Sequence, residues 1–298
     1  DQRLGTDFLP VLDSPSAHIR ASIVFVGYGI VDAASNMNDY AGVDVNNCIV
    51  LFLRGKPDHF KETITHADKV RIARQKGAVG YLTGTGPLLS SYEIRRGVTG
   101  QPSAFYGLSP ATDNLPGALI STARAEHIIA GTDHSNHKRL QSIQEQLNRA
   151  SESRSFPTEY FGAFEWESEQ KQGLLTNVIA VLPGSDPQLK HEVIVIGAHR
   201  DHFGRQGELL FPGADDNASG TAVMLEVARK LAQLAALSRR SHPRQPQRIR
   251  AGPKRTILFI SFSGEEQGLV GSRLYIDRPL EPIAMTKAMI NIDHAGIG

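Results

Sequence analysis

Two histidines and three aspartates fall within one stretch, Gly197 to Thr221 (GAHRDHFGRQGELLFPGADDNASGT), immediately after the apolar run Val193 to Ile196. His199, Asp201, His202, Asp215 and Asp216 offer imidazole nitrogens and carboxylate oxygens, donors that a divalent metal takes and that zinc accepts together. Two more apolar runs end in acids. Residues 256–263 (TILFISFS) lead into Gly264-Glu265-Glu266, and residues 288–292 (AMINI) lead into Asp293-His294. Parallel strands share a carboxyl-terminal edge, and sites in open α/β sheets collect there. Three strand ends delivering acids and imidazoles to one crevice point to a metal-dependent enzyme.

Each residue also has a plainer role. Asp216 or Asn217 could cap a helix beginning near Ala218. His199 alone could be a core histidine, and Glu265 and Glu266 could open a helix whose dipole favours acids. Adjacent carboxylates behind an apolar strand are costly to desolvate unless a cation compensates them, and Asp293 meets the same objection. The plain roles together need several coincidences.

The elements that would position these groups can be read from pattern. Ser22 to Val26, Cys48 to Leu53 and Val79 to Leu82 read as short buried strands, with a helix over Glu62 to Lys76 stopped by Gly77. Leu119 to Ile129 reads as a strand and short helix, and Lys138 to Ala150 as an amphipathic connecting helix. Ser151 to Pro157 reads as the junction between domains. Beyond it, strands over Asn177–Leu182, Glu192–Ile196, Thr256–Phe262 and Ala288–Ile292 alternate with a long helix from Ala218 and a short one from Leu269. That alternation predicts a largely parallel sheet covered on both faces.

Composition narrows the class. A chain of 298 residues with 40% apolar residues fits two domains with real cores, and no apolar run is long enough to suggest a membrane span. The net charge of +1 favours no nucleic acid. The basic segment 238–255 lacks aromatic rings for stacking on bases and reads as a solvated loop. Cys48 is alone and reads as a small core residue. The start at Asp1 and the stop at Gly298, just past a strand-like run, are read as cut ends of a longer protein.

Two resemblances follow from longer motifs. IVFVGYGI, NDYAGVDVNNCIVLFLRG and KGAVGYL, between residues 23 and 82, resemble a protease-associated domain. In that family the module is inserted into zinc exopeptidases and roofs one side of the cleft. GAHRDH, GADDNASGT, FSGEEQGLVGS and MINIDHAG, in that order, are similar to the signatures of co-catalytic zinc aminopeptidases, including bacterial leucyl aminopeptidases and glutamate-carboxypeptidase-like enzymes. The implied architecture is α/β: an extended segment over 1–19, a protease-associated domain and connecting helix over 20–152, and a mostly parallel zinc-peptidase sheet covered by helices over 153–298.

The resemblance implies two Zn2+ ions and peptide substrates, with a secreted or periplasmic location. His199 and Asp293 would hold one zinc, Asp216 would bridge both and Glu266 would hold the second. Glu265 would be the general base, and Asp201 the acid orienting the His199 ring. The family takes its last ligand for the second zinc from a histidine well beyond these motifs, and none follows Asp293 at that distance here. The chain as it stands could therefore be inactive. His202 is expected to line the site, and His294 to point away from Asp293 along an extended run. The alternatives are a non-catalytic homologue used for binding and a glutaminyl-cyclase-like enzyme with a single zinc. The presence of His199, Asp216, Glu265, Glu266 and Asp293 together favours the enzyme.

Overall fold

The computed structural model describes residues 2–90, 93–94, 98–131, 139–169, 171, 173–241 and 252–296, with the side chains of 238–241 left aside. The chain divides into two compact units, Asp1–Lys171 and Gln172–Gly298.

The first unit is built on a six-stranded sheet in the order β1-β7-β6-β5-β2-β8. Its strands are β1 (Phe8–Pro10), β2 (Ala17–Phe25), β5 (Ile49–Leu53), β6 (Gly80–Gly84), β7 (Gly117–Ile120) and β8 (Phe156–Trp166), with a small hairpin of β3 (Val31–Asp32) and β4 (Met37–Asn38). The four inner strands pair in parallel, and β1 and β8 close the edges antiparallel. Alternation along the strands sorts side chains to two cores. Ile23, Phe25, Ile49, Leu51 and Leu53 pack on one face, and Val24, Val26, Val50 and Phe52 on the other. Helices α1 (His66–Gln75), α2 (Thr122–Ala130) and α3 (Arg139–Arg149) complete the unit. Helix α1 starts in a capping box between Thr65 and Asp68 and stops at Gly77, whose φ of 90° suits only glycine comfortably.

Two expectations shift here. Residues 1–19 are not merely extended, because β1 pairs with β7 and β2 begins at Ala17. The division falls after Lys171 rather than in Ser151–Pro157, because β8 pairs along β2 from Ala17↔Trp166 to Phe25↔Phe156. Its alternating half-exposed pattern has the same period as a strand of either domain, so pattern alone could not assign it.

The second unit contains β9 (Val178–Leu182), β10 (Val193–His199), the hairpin β11 (Gly204–Gln206) and β12 (Leu209–Phe211), α4 (Gly220–Ser241), β13 (Thr256–Phe262), α5 (Val270–Asp277) and β14 (Thr286–Asn291). The main sheet runs β14-β10-β13-β9, parallel at β14·β10 and β10·β13 and antiparallel at β13·β9. Met224, Val227, Ala228 and Leu231 of α4 pack with Ile196, Ala198, Ile257 and Phe259 on one face. Tyr275 of α5 packs with Val193, Val195, Leu258 and Ile260 on the other. The central strands are thus covered as expected, whereas the edge strands β9 and β14 are mostly exposed, including Val178, Val181, Met289 and Ile290. An edge strand has a neighbour on one side only.

The long helix enters the basic segment as far as Ser241, and residues 242–251 of that segment lie outside the described residues. No helix among the described residues is long and apolar enough to cross a membrane.

Candidate metal centre

The register of the second sheet brings three chain exits to one edge. His199 is the last residue of β10 and pairs with Phe262 of β13, while Gly197 pairs with Asn291 of β14. Asp201, Glu265, Glu266 and Asp293 all lie a few residues past those strand ends.

His199 is buried, at 3% exposure. Thr221 Oγ1, from the first turn of α4, donates to its carbonyl at 2.8 Å. Its Nδ1 lies 3.1 Å from the Asp201 carbonyl oxygen, so an Nδ1–H donates there and Nε2 is turned toward the acids. Nε2 faces Asp216 Oδ1 at 3.1 Å and Asp293 Oδ1 at 3.4 Å. His199 Nε2 and Asp216 Oδ1 are both buried and have no hydrogen-bond partner. A proton on Nε2, or a metal cation in its place, offsets the two carboxylates that converge on it. Tetrahedral zinc with ligands at about 2.0–2.1 Å spaces its donors roughly 3.3 Å apart, close to both separations. The donor set fits zinc.

Glu265 and Glu266 extend the cluster. One donor atom each from His199, Glu265 and Glu266 lies within 4.8 Å of the others, and the same holds for His202, Asp216 and Glu266. Burial disfavours protonation of His199, but Asp216, Glu265 and Asp293 outweigh it and push the imidazole up to about 9. The same contact with His199 holds the Asp216 carboxyl below the usual range. Burial, then the charges of Asp216 and Glu265, pushes Glu266 up to about 8. Glu265 is raised as well, mainly by burial, against the pull of His199.

Asn217, rather than Asp216, takes the helix-capping role. Its Oδ1 accepts the Gly220 N–H at 2.9 Å, as a cap would. Asp216 and Asn217 have non-helical dihedrals, and the Asp216 carboxylate is left to the cluster. A side chain at Gly220 would run into Asn217 Oδ1 and the Ile292 carbonyl. Asp215 is a loop anchor, accepting from Ser219 Oγ at 3.1 Å and from the Gly296 N–H at 2.7 Å.

Three details differ from the sequence reading. The Asp201 carboxylate is 3.9 Å from His199 Nδ1, so the carbonyl of the same residue takes the hydrogen bond. His294 does not point away: its Nε2 lies 3.2 Å from Asp216 Oδ2 and its Nδ1 3.3 Å from Asp215 Oδ2. Strand β14 has ended at Asn291 and His294 has a φ of 50°, so strand alternation no longer applies there. His202 lies against Glu266, with 2.6 Å between Nδ1 and Oε1, closer than a mere lining role requires. The only sequence signal for these placements is the glycine-rich, turn-forming character of the surrounding loops.

Comparison with known proteins bears out the resemblance in the second unit. Residues 177–298 match the model of peptidase family M28. A probable glutamate carboxypeptidase of Arabidopsis thaliana is 26% identical over 95% of this chain and 39% of its own length. A probable leucine aminopeptidase of Trichophyton verrucosum is 28% identical over 64% of this chain and 53% of its own length. An aminopeptidase structure from Aneurinibacillus sp. strain AM-1 superposes with a TM-score of 0.54 at 24% identity, over 97% of this chain and 54% of that one, and shows the same α/β fold. The chain thus spans about two fifths to about half the length of the relatives it matches.

Proposed function

We propose that this relative of peptidase family M28 is part of a zinc-dependent aminopeptidase that removes residues from the amino terminus of peptides. The observation that supports it most is the His199–Asp216–Asp293 group: a buried imidazole and two carboxylates at ligand spacing. The leucine aminopeptidase relative supports the choice of substrate end.

In this reading His199, Asp216 and Asp293 would hold one zinc, and Asp216 with Glu266 would hold a second. Zinc there would supply Lewis-acid charge that polarises a peptide carbonyl and makes a nearby water acidic near neutral pH. Glu265 accepts the proton of that water and returns it to the nitrogen of the leaving amine. Burial, which keeps its carboxyl raised, keeps its proton affinity closer to neutral pH, where a general base works best. The Asp201 carbonyl holds the His199 ring with Nε2 facing the acids, and the Asp201 carboxylate adds negative charge 3.9 Å from Nδ1. The first unit, with its parallel-centred sheet, is the protease-associated module in the same reading.

The test uses the purified protein, stripped with chelator and reconstituted with zinc. It should release the first residue of a peptide with a free amino terminus, leave the N-acetylated peptide intact, and stop on chelation. Cleavage that survives chelation, or a reconstituted protein without zinc, would defeat the proposal.

A further inference from the structure

Arg200 stands between His199 and Asp201 in the chain, yet its guanidinium is engaged away from the acids, across β13. Its Nη1 donates to the Ser261 carbonyl at 2.8 Å and lies 3.3 Å from the Phe262 carbonyl and from Ser261 Oγ. Its Nη2 donates to the carbonyl of Thr176, just before β9. The Arg200 main-chain N–H donates to the Phe262 carbonyl at 3.1 Å. One residue thus joins the exits of β10 and β13 to the segment that enters β9.

That segment seats the turn carrying Glu265. Asn177 Oδ1 accepts the Ser263 N–H at 3.2 Å, and its Nδ2 donates to the Gly271 carbonyl at 2.8 Å. Leu175 lies against Gly264, where an added Cβ would sit 2.6 Å from Leu175 Cδ1. The turn closes through the Glu265 carbonyl, which accepts from Gly268 at 3.0 Å and from Leu269 at 2.9 Å. The ladder between β10 and β13 ends at His199↔Phe262, so Glu265 lies three residues beyond the last pair. We infer, resting on the zinc reading above, that Arg200 is a positioning residue for Glu265. By holding Thr176 it fixes residues 175–177 under the Glu265 turn and carries the register of the two strands past their last pair. The planar fork of an arginine can span carbonyls on two chains, whereas the ammonium of a lysine is a point donor.

The alternative is that Arg200 only stabilises the second unit as a whole. Amide hydrogen exchange of the metal-free chain, read by NMR, separates the two roles. Arg200→Gln should speed exchange at Gly268, Leu269 and Val270 by about tenfold or more, as the seat of the turn loosens. Val195, Leu258 and Ile260, inside β10 and β13, should keep their protection. After reconstitution with zinc, the same variant should lose about 100-fold in kcat with KM little changed, the size of loss that a shift of about 1 Å brings. The zinc facing His199, Asp216 and Asp293 should be retained. Arg200→Lys should fall between the parent and Arg200→Gln in both measurements. Unchanged exchange at 268–270 overturns the inference, and so does exchange raised equally throughout β10 and β13. A turn that opens while kcat stays at the parent value overturns it as well. A reconstituted parent chain that cleaves no peptide defeats the zinc-peptidase reading instead, and exchange at 268–270 then decides the role of Arg200 by itself.

Discussion

Asn217 ties the start of the long helix to the end of the last strand: its Nδ2 donates to the Ile292 carbonyl at 2.8 Å. The same side chain caps Gly220 at 2.9 Å and is 1% exposed. It therefore ties together Asp216, the residue before it, and Asp293, the residue after Ile292. Asn217→Ala removes a cap worth about 1 kcal/mol. It also takes the Nδ2 donor from the half-buried Ile292 carbonyl, at about 1–3 kcal/mol. The second unit should lose about 2–4 kcal/mol in urea unfolding, with zinc affinity falling as the two acids lose their common anchor. Asn217→Asp keeps the acceptor for Gly220 but sets a carboxylate against the Ile292 carbonyl. It should be destabilised as well, and stability equal to the parent in both variants would contradict the tie.

Glu265 and Glu266 should separate by assay. Glu265→Gln should keep both zinc ions and lose about 10²–10⁴ in turnover, since an amide accepts no proton. Glu266→Gln should release the second zinc. Metal content and peptide turnover measured on the same samples decide this, and equal metal loss in the two variants would show that the neighbours share one role.

Much of this site is visible in the sequence because it rests on short-range pattern. Apolar runs ending in His199, in Gly264-Glu265-Glu266 and in Asp293 mark three parallel strands, and the register confirms that they share an edge. The strand Thr256–Phe262 falls where its apolar run ends on both sides. What escaped depends on backbone turns beyond the strands. A left-handed residue at His294 turns its ring inward. A carbonyl, which any residue could supply, takes the hydrogen bond expected of the Asp201 carboxylate. The strand Phe156–Trp166 joins the first sheet through pairings to a segment over 130 residues earlier, which local periodicity does not encode.

For Asp201→Asn the geometry points to a modest effect. The hydrogen bond to His199 Nδ1 survives because it comes from the main chain. What is lost is a negative charge 3.9 Å from the ring. Zinc affinity should fall by about tenfold, the low end for an outer-shell partner. A loss beyond about 100-fold, read by competition with a chelator of known affinity, would mean that the carboxylate itself takes over the ring once zinc is bound.

The pH dependence follows from two raised groups that zinc must strip of protons. Glu266 rises from its ordinary value of 4.5 to about 8, and His199 from 6.5 to about 9, in the metal-free chain. Each therefore binds more proton in the folded than in the unfolded state, Glu266 between about 4.5 and 8 and His199 between about 6.5 and 9. Stability rises with pH only where the unfolded state binds more protons, so here the sign is reversed. The His199 contribution is fully present below 6.5 and lost as pH rises through 9. The Glu266 contribution is fully present below 4.5 and lost as pH rises through 8. The metal-free second unit should thus lose stability from about pH 5 to 9, most steeply between about 6.5 and 8, where the two windows overlap. Zinc reverses the slope, because its ligands bind deprotonated and its affinity climbs with pH. Calorimetric titration of zinc at pH 7 in buffers of different ionisation enthalpy should show close to two protons released per chain. Thermal unfolding without metal should show a falling midpoint across the same range. A midpoint that climbs from pH 6 to 8 without metal, or zinc binding that releases no protons at pH 7, would contradict the charge arrangement around His199 and Glu266.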